Sequence, residues 1–143
     1  MKTSLQFTEE QEKAVQKLLA ECASIEIVMA MEVDVTKWEE VQVKLVRLTE
    51  CFAQTSKMIE MAAMIYNTAK GIVANEAMIV PGVLDLKQDL QRNWIAGKLA
   101  RAEGIYNRVE TLLKDLRSQV EGYRSILAFE RERIRIENFS QKT

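Results

Sequence analysis

Two heptad runs on either side of the chain's single proline, Pro81, restrict this sequence more than any other feature. The first reads Trp38, Val41, Leu45, Leu48, Phe52, Thr55, Ile59, Ala62, Tyr66, Ala69, Val73. The second reads Ile95, Leu99, Ala102, Tyr106, Val109, Leu113, Leu116, Val120, Tyr123, Leu127. Steps of three and four residues keep one stripe of a helix turned toward a partner helix, the spacing of a coiled-coil seam. Five glycines and one proline in 143 residues leave little material for the turns of a β-rich fold. A hydrophobic content of 48% with 29% charged residues is that of a folded chain rather than a disordered one.

The punctuation divides the pattern into three helices of one all-α domain, residues 1–143. Thr8 and Gln11 have capping-box spacing, and Glu9, Glu10 and Glu12 follow at the positive end of the helix dipole. A first helix is expected over about 8–33, with the stripe Val15, Leu18, Cys22, Ile25, Met29. Thr36–Glu39 and Asp85–Gln88 repeat the capping signal. They open helices expected over about 36–75 and 86–136, joined by a turn at Pro81-Gly82. These two form a long antiparallel coiled-coil hairpin, and the first helix packs on its base. Gly97 and Gly104, seven residues apart, are expected to let the hairpin helices approach closely beside Ala62, Ala63 and Ala69.

If the first helix covers only the base, the turn half holds two helices and more apolar surface than they can bury. Met58, Met61, Ile65 and Ile72 form a second stripe on the middle helix. Trp94 and the turn residues Ile79, Val80, Val83 and Leu84 add to it. Large open apolar surfaces mark interfaces, so the chain is expected to form a homo-oligomer through these residues. Cys22 and Cys51 lie at apolar helix positions and read as buried reduced thiols. The first ten residues lack an apolar signal core and no run reaches membrane-spanning length, so a cytoplasmic location without membrane contact is expected.

The chain has no histidine. That removes the commonest general base, the His-dependent nucleophile pairs and the usual zinc and di-iron ligand sets. Gly97 and Gly104 sit inside a heptad pattern and not after a strand, so they form no phosphate loop. Glu9-Glu10 and Glu39-Glu40 are adjacent on helices and point to different sides. No enzyme, cofactor or metal site is expected.

Charge is placed unevenly. Residues 1–34 carry three basic and seven acidic side chains, net −4, whereas residues 81–143 carry twelve and nine, net +3. Arg117, Arg124 and Arg131 recur every seven residues and so line one helix face, which Lys114 and Arg135 extend. Ser118 and Ser125 follow the first two arginines. Guanidinium forks suit phosphate, and a row of them beside Tyr123 or Phe129 suits a single nucleic-acid strand. Salt bridges to Glu121, Glu130 and Glu132 are the competing role for the same row. A second basic set, Lys98, Arg101 and Arg108, lies nearer the turn, with Glu103 and Glu110 close by.

The segment LeuArgSerGlnValGluGlyTyrArgSerIleLeuAlaPheGluArgGluArg at 116–133 resembles the C-terminal helix of a group of small all-helical phage and mobile-element proteins. MetIleGluMetAlaAlaMetIleTyrAsnThrAlaLys at 58–70 resembles that group's middle helix. In size and layout the group is similar to the UvsY recombination mediators, ring-forming proteins that load recombinase onto single-stranded DNA. The resemblance implies an accessory role in phage or mobile-element recombination or replication, with Arg117, Arg124 and Arg131 on the strand-binding surface. Two other readings remain open from the residues alone: a protein-interaction module using the apolar turn, and a protein that sequesters an anionic nucleotide signal between subunits.

Overall fold

A computed structural model of the chain describes residues 4–142. It contains three helices, α1 (Glu9–Ala30), α2 (Trp38–Ile79) and α3 (Gln88–Lys142), and no strand among the described residues. The expected all-α fold is what forms. The helix boundaries differ from those read in the sequence. α1 ends three residues short of Val33, α2 runs through Asn75 to Ile79, and α3 continues to Lys142 without interruption at Gly97, Gly104 or Gly122.

Only the first of the three capping boxes closes as expected. The Thr8 amide donates to Gln11 Oε1 (2.9 Å) and the Gln11 amide to Thr8 Oγ1 (3.2 Å). At the second, Asp34 organises the connection. Its carboxylate accepts from both the amide (3.0 Å) and the hydroxyl (2.6 Å) of Thr36, while its own amide donates to Glu40 (3.1 Å). At the third, Gln91 takes over, its carboxamide donating to the carbonyls of Leu84 and Leu86 (2.9 Å each). Between α2 and α3, Gly82 adopts φ +84°, the left-handed position that a Pro-Gly turn requires.

The chain divides into two compact units, and all three helices contribute to both. The first comprises Met1–Cys22 and Ser56–Thr111; the second comprises Ala23–Thr55 and Leu112–Thr143. In each, α2 and α3 run antiparallel.

The first unit contains the turn, and it has a third layer where two helices alone were expected. Glu9–Cys22 of α1 belongs to it, with Val15, Leu18 and Cys22 fully buried. Residues 4–8 add an extended strap: Leu5 donates its amide to the carbonyl of Lys98 (2.9 Å) and Ser4 its hydroxyl to the carbonyl of Gly97 (3.4 Å). Leu5, Phe7, Tyr66 and Trp94 pack against a cluster of Ala69, Val73, Leu99 and Ala102. The extra layer accounts for the supposedly unpartnered stripe. Met58, Ile65 and Val83 are buried, and Met61, Ile72 and Trp94 are half-buried. Tyr66 and Tyr106 stack across α2 and α3 with ring centroids 5.8 Å apart. Gly104 does not serve close packing, because a Cβ placed there meets nothing within 4 Å.

The second unit is built on Ile25 of α1, Val41 and Leu48 of α2, and Leu116, Val120 and Leu127 of α3, all buried. Thr55, a seam position, is buried with its hydroxyl donating to the carbonyl of Phe52 (2.6 Å). Beside them lies a charged residue. Lys44 is 2% exposed, and its ammonium donates to the carbonyls of Val28, Met29 (3.0 Å) and Met31 (2.6 Å). The last carbonyls of a helix have no partner within it, and α1 has no basic residue in its last turn. Lys44 supplies from α2 the cap that α1 lacks. Burial pushes its pKa down, and three charge-assisted hydrogen bonds offset that cost.

Both cysteines are free thiols, Cys22 buried and Cys51 half-buried. No helix among the described residues is long and apolar enough to cross a membrane.

Candidate nucleic-acid interface

α3 carries the arginine face in the second unit. The unbroken helix holds Arg117, Arg124 and Arg131 in heptad register, and each is exposed. The guanidinium of Arg117 lies over the ring of Phe52 from α2, 6.0 Å from its centroid. A surface groove of about 220 Å³ joins these groups, lined by Thr49, Phe52, Arg117, Val120, Glu121 and Arg124. Its apolar floor comes from Phe52, which is half-buried and keeps part of its ring open. Thr49, whose hydroxyl donates to the carbonyl of Leu45 (2.8 Å), stands on the rim.

The ion pairs expected to neutralise the row fall elsewhere. Glu130 pairs with Arg133, which also reaches Glu137 (2.6 Å), and Glu132 pairs with Arg135 (2.7 Å). These contacts hold the Glu130 carboxyl below its usual pKa through the hydrogen bond from Arg133. Among the described residues, Arg124 and Arg131 make no ion pair within 4.0 Å, and neither does Glu121, although it lines the groove of Arg117 and Arg124. Arg135 therefore separates from the set it was placed in; Arg117 and Arg124 share one groove, and Arg131, on the same heptad face, lines another with Trp38, Gln42, Leu127, Glu130 and Ile134. Lys114, the remaining member, is exposed and has partners of its own. Of the two aromatics expected beside the row, Tyr123 is half-buried. Phe129 is 73% exposed and lines a separate groove with Val35, Ile126 and Arg133.

The second basic set belongs to the first unit and is engaged in holding it together. Arg101 forms a bidentate pair with Glu12, with Nη2 to Oε2 at 2.9 Å, and its guanidinium sits 4.9 Å from the Phe7 ring centroid. The pair holds the Glu12 carboxyl below its usual pKa, chiefly through the hydrogen bond. Lys98 lies over the ring of Trp94 at 5.7 Å, and Arg108 is exposed and has partners of its own. At the turn, Ile79 (78%), Val80 (40%) and Leu84 (64%) are exposed as the sequence suggested.

Sequence reasoning passed over Phe52 as part of this site, because it occupies a seam position and reads as core. Its signal was available in retrospect: Thr49 and Phe52 are three apart on α2 and so share a face. Comparison of the chain with family models, with curated proteins and with solved structures returned no match.

Proposed function

We propose that this chain is a non-enzymatic, homo-oligomeric helical protein that binds single-stranded nucleic acid through the arginine face of α3, as an accessory to phage or mobile-element DNA recombination or replication. The observation that carries the reading is the contrast within one helix. Arg133 and Arg135 are tied to glutamates one turn away, whereas Arg124 and Arg131 have no ion pair among the described residues and share a heptad face with Arg117. Unneutralised guanidiniums in register track a phosphate backbone, and the partly open ring of Phe52 offers a stacking surface for a base at the same groove. The chain's net charge of −1 gives no general attraction for polyanions, so binding has to come from this local face.

The test is Arg117→Ala, Arg124→Ala and Arg131→Ala in one chain, read by fluorescence anisotropy with a labelled oligodeoxythymidine over a salt series. Loss of binding with unchanged oligomer mass is expected. For single strands each phosphate contact contributes about 0.7 to the slope of log K against log salt, so any residual binding should show a slope lower by about 2. Unchanged affinity in the triple variant rules the reading out.

A further inference from the structure

The groove that Arg131 shares with Trp38, about 200 Å³ in volume, repeats the groove of Phe52. Trp38 lies fourteen residues before Phe52 on α2, and Arg131 and Ile134 lie fourteen after Arg117 and Val120 on α3. Equal and opposite displacements on two antiparallel helices bring the same pairing round again. Each groove therefore combines an aromatic ring of α2, an arginine of α3 and a β-branched residue one turn beyond that arginine. At 1.5 Å per residue, Arg117 and Arg131 are about 21 Å apart along the helix. Arg124 stands midway between them in heptad register.

Both rings can be reached from solvent: Trp38 is 45% exposed and Phe52 is half-buried. Each groove also contains one carboxylate, Glu121 in the first and Glu130 in the second. Two arginines face Glu121, and Glu130 is held by Arg133, so among the described residues neither carboxylate forms an ion pair with the arginine row. An open ring beside a cation, repeated at a fixed distance, matches a ligand whose own repeat carries a negative charge and a flat π-face. A nucleic-acid strand has both, whereas a polyanion without bases can use only the arginines.

We infer that Trp38 and Arg131 form a second base-stacking site for one single strand, which runs along α3 from the groove of Phe52 past Arg124 to the groove of Trp38. This site rests on the proposed strand binding and sets the length of strand that is engaged. A stacked strand advances about 3.4 Å per nucleotide, so about six steps span the distance, and a stretched strand needs fewer. The exposed carboxamide of Gln42 in the second groove can both donate to and accept from the edge of the stacked base.

Trp94→Phe leaves Trp38 as the only tryptophan, and a base stacked on an indole quenches its emission. A twelve-nucleotide oligodeoxythymidine is expected to quench Trp38 with the midpoint that anisotropy gives for binding. Trp38→Leu is expected to weaken that binding about tenfold, the loss of one stacked base, and Trp38→Phe to restore most of it. A trinucleotide reaches one groove only, so the advantage of the twelve-mer over it should shrink by nearly the same factor in Trp38→Leu. A merely structural role for Trp38 would weaken both lengths alike, and that result overturns the site. A twelve-mer that binds, and is lost in the triple arginine variant, yet leaves Trp38 emission and the Trp38→Leu affinity unchanged overturns this site and spares the proposed function. Absence of twelve-mer binding in the wild type overturns both. Polyphosphate that quenches Trp38 as strongly as the strand would leave a cation site without stacking. A change of oligomer mass in Trp38→Leu at unchanged affinity would make the groove an interface between copies. Either result overturns the site.

Discussion

The two units use the same three helices and solve the problem of charge differently. In the first, charged groups are spent on closure. Arg101 pairs with Glu12 and covers Phe7, Lys98 lies over Trp94, and the strap of residues 4–8 seals the core cluster behind them. In the second, Lys44, the one buried charge among the described residues, holds the end of α1 from inside, and among those residues the exposed Arg117, Arg124 and Arg131 of α3 find no ion pair. Cations tied up in this way have little to offer a polyanion. The open arginines of the second unit, beside grooves with apolar floors, are where recognition is expected.

The largest expected effect comes from removing the buried cation. Lys44→Met keeps most of the apolar stem and deletes three donors, leaving the carbonyls of Val28, Met29 and Met31 without the partner they have now. Leaving buried acceptors unsatisfied costs roughly 1–3 kcal/mol per group before relaxation and water recover part of it. A net destabilisation of about 3 kcal/mol is expected, read as the shift in urea midpoint by circular dichroism. The matching variant in the first unit, Arg101→Met, removes an exposed ion pair and is expected to cost under about 1 kcal/mol. Equal losses in the two variants would erase the contrast between a cation that builds the fold and one that trims its surface.

Gly104 and Gly122 sharpen the comparison at a smaller scale. Each lies inside α3, one in each unit, and a Cβ placed at either meets nothing within 4 Å. Replacing glycine by alanine in an open helix interior favours the helix by about 1 kcal/mol. Gly104→Ala and Gly122→Ala are each expected to raise the melting temperature by about 3 °C, a rise that thermal denaturation would show. A loss at Gly122 with a gain at Gly104 would mean that the second unit's surface there is covered in the assembled protein.

The helices and the turn were legible in the sequence because each has a repeating or local signal. The heptads define α2 and α3, Thr8 and Gln11 close a box at residues adjacent in the chain, and Pro81-Gly82 has one common conformation. The strap was not legible. Leu5 and Phe7 lie in a short extended segment with no period, and nothing local says that they reach the carbonyl of Lys98. Their placement packs Tyr66 and Trp94 into one cluster with Ala69, Val73, Leu99 and Ala102, in a unit where Met58, Ile65 and Val83 are core and not an open stripe. Lys44 was illegible for a different reason: a lysine between Val43 and Leu45 reads as a solvated helix position, and only the missing cap at the end of α1 explains its burial. At the candidate site the sevenfold spacing of the arginines was readable. Which glutamates they meet was not, since Glu121, Glu130 and Glu132 all stand within one turn of some arginine and side-chain geometry decides among them.

The smallest expected effect concerns the strap and pH. Arg101 holds the Glu12 carboxyl below its ordinary pKa. A carboxylate depressed in the folded state contributes stability above its unfolded pKa, near 4.3, and that contribution fades as pH falls through the lower folded value. The strap should therefore loosen under acid before the core of the first unit does. Trp94 packs on the same cluster as Leu5 and Phe7, and with Trp38→Phe it becomes the only tryptophan. Its emission is expected to shift to the red as the pH is lowered below about 4, while helicity is retained. Glu12→Gln should show the shifted emission already at neutral pH and lose the acid step. An acid step that persists in Glu12→Gln would place the sensitivity in another carboxylate, with Asp34 the first to examine, since its pKa is also held down, by the hydrogen bonds from Thr36. Asp34 belongs to the second unit, so the same titration followed through Trp38, with Trp94→Phe, reports on that unit by itself. Acid sensitivity seen by Trp94 and not by Trp38 would locate the pH-dependent closure in the first unit. The reverse would mean that the Asp34 connection, and not the strap, is the weaker fastening.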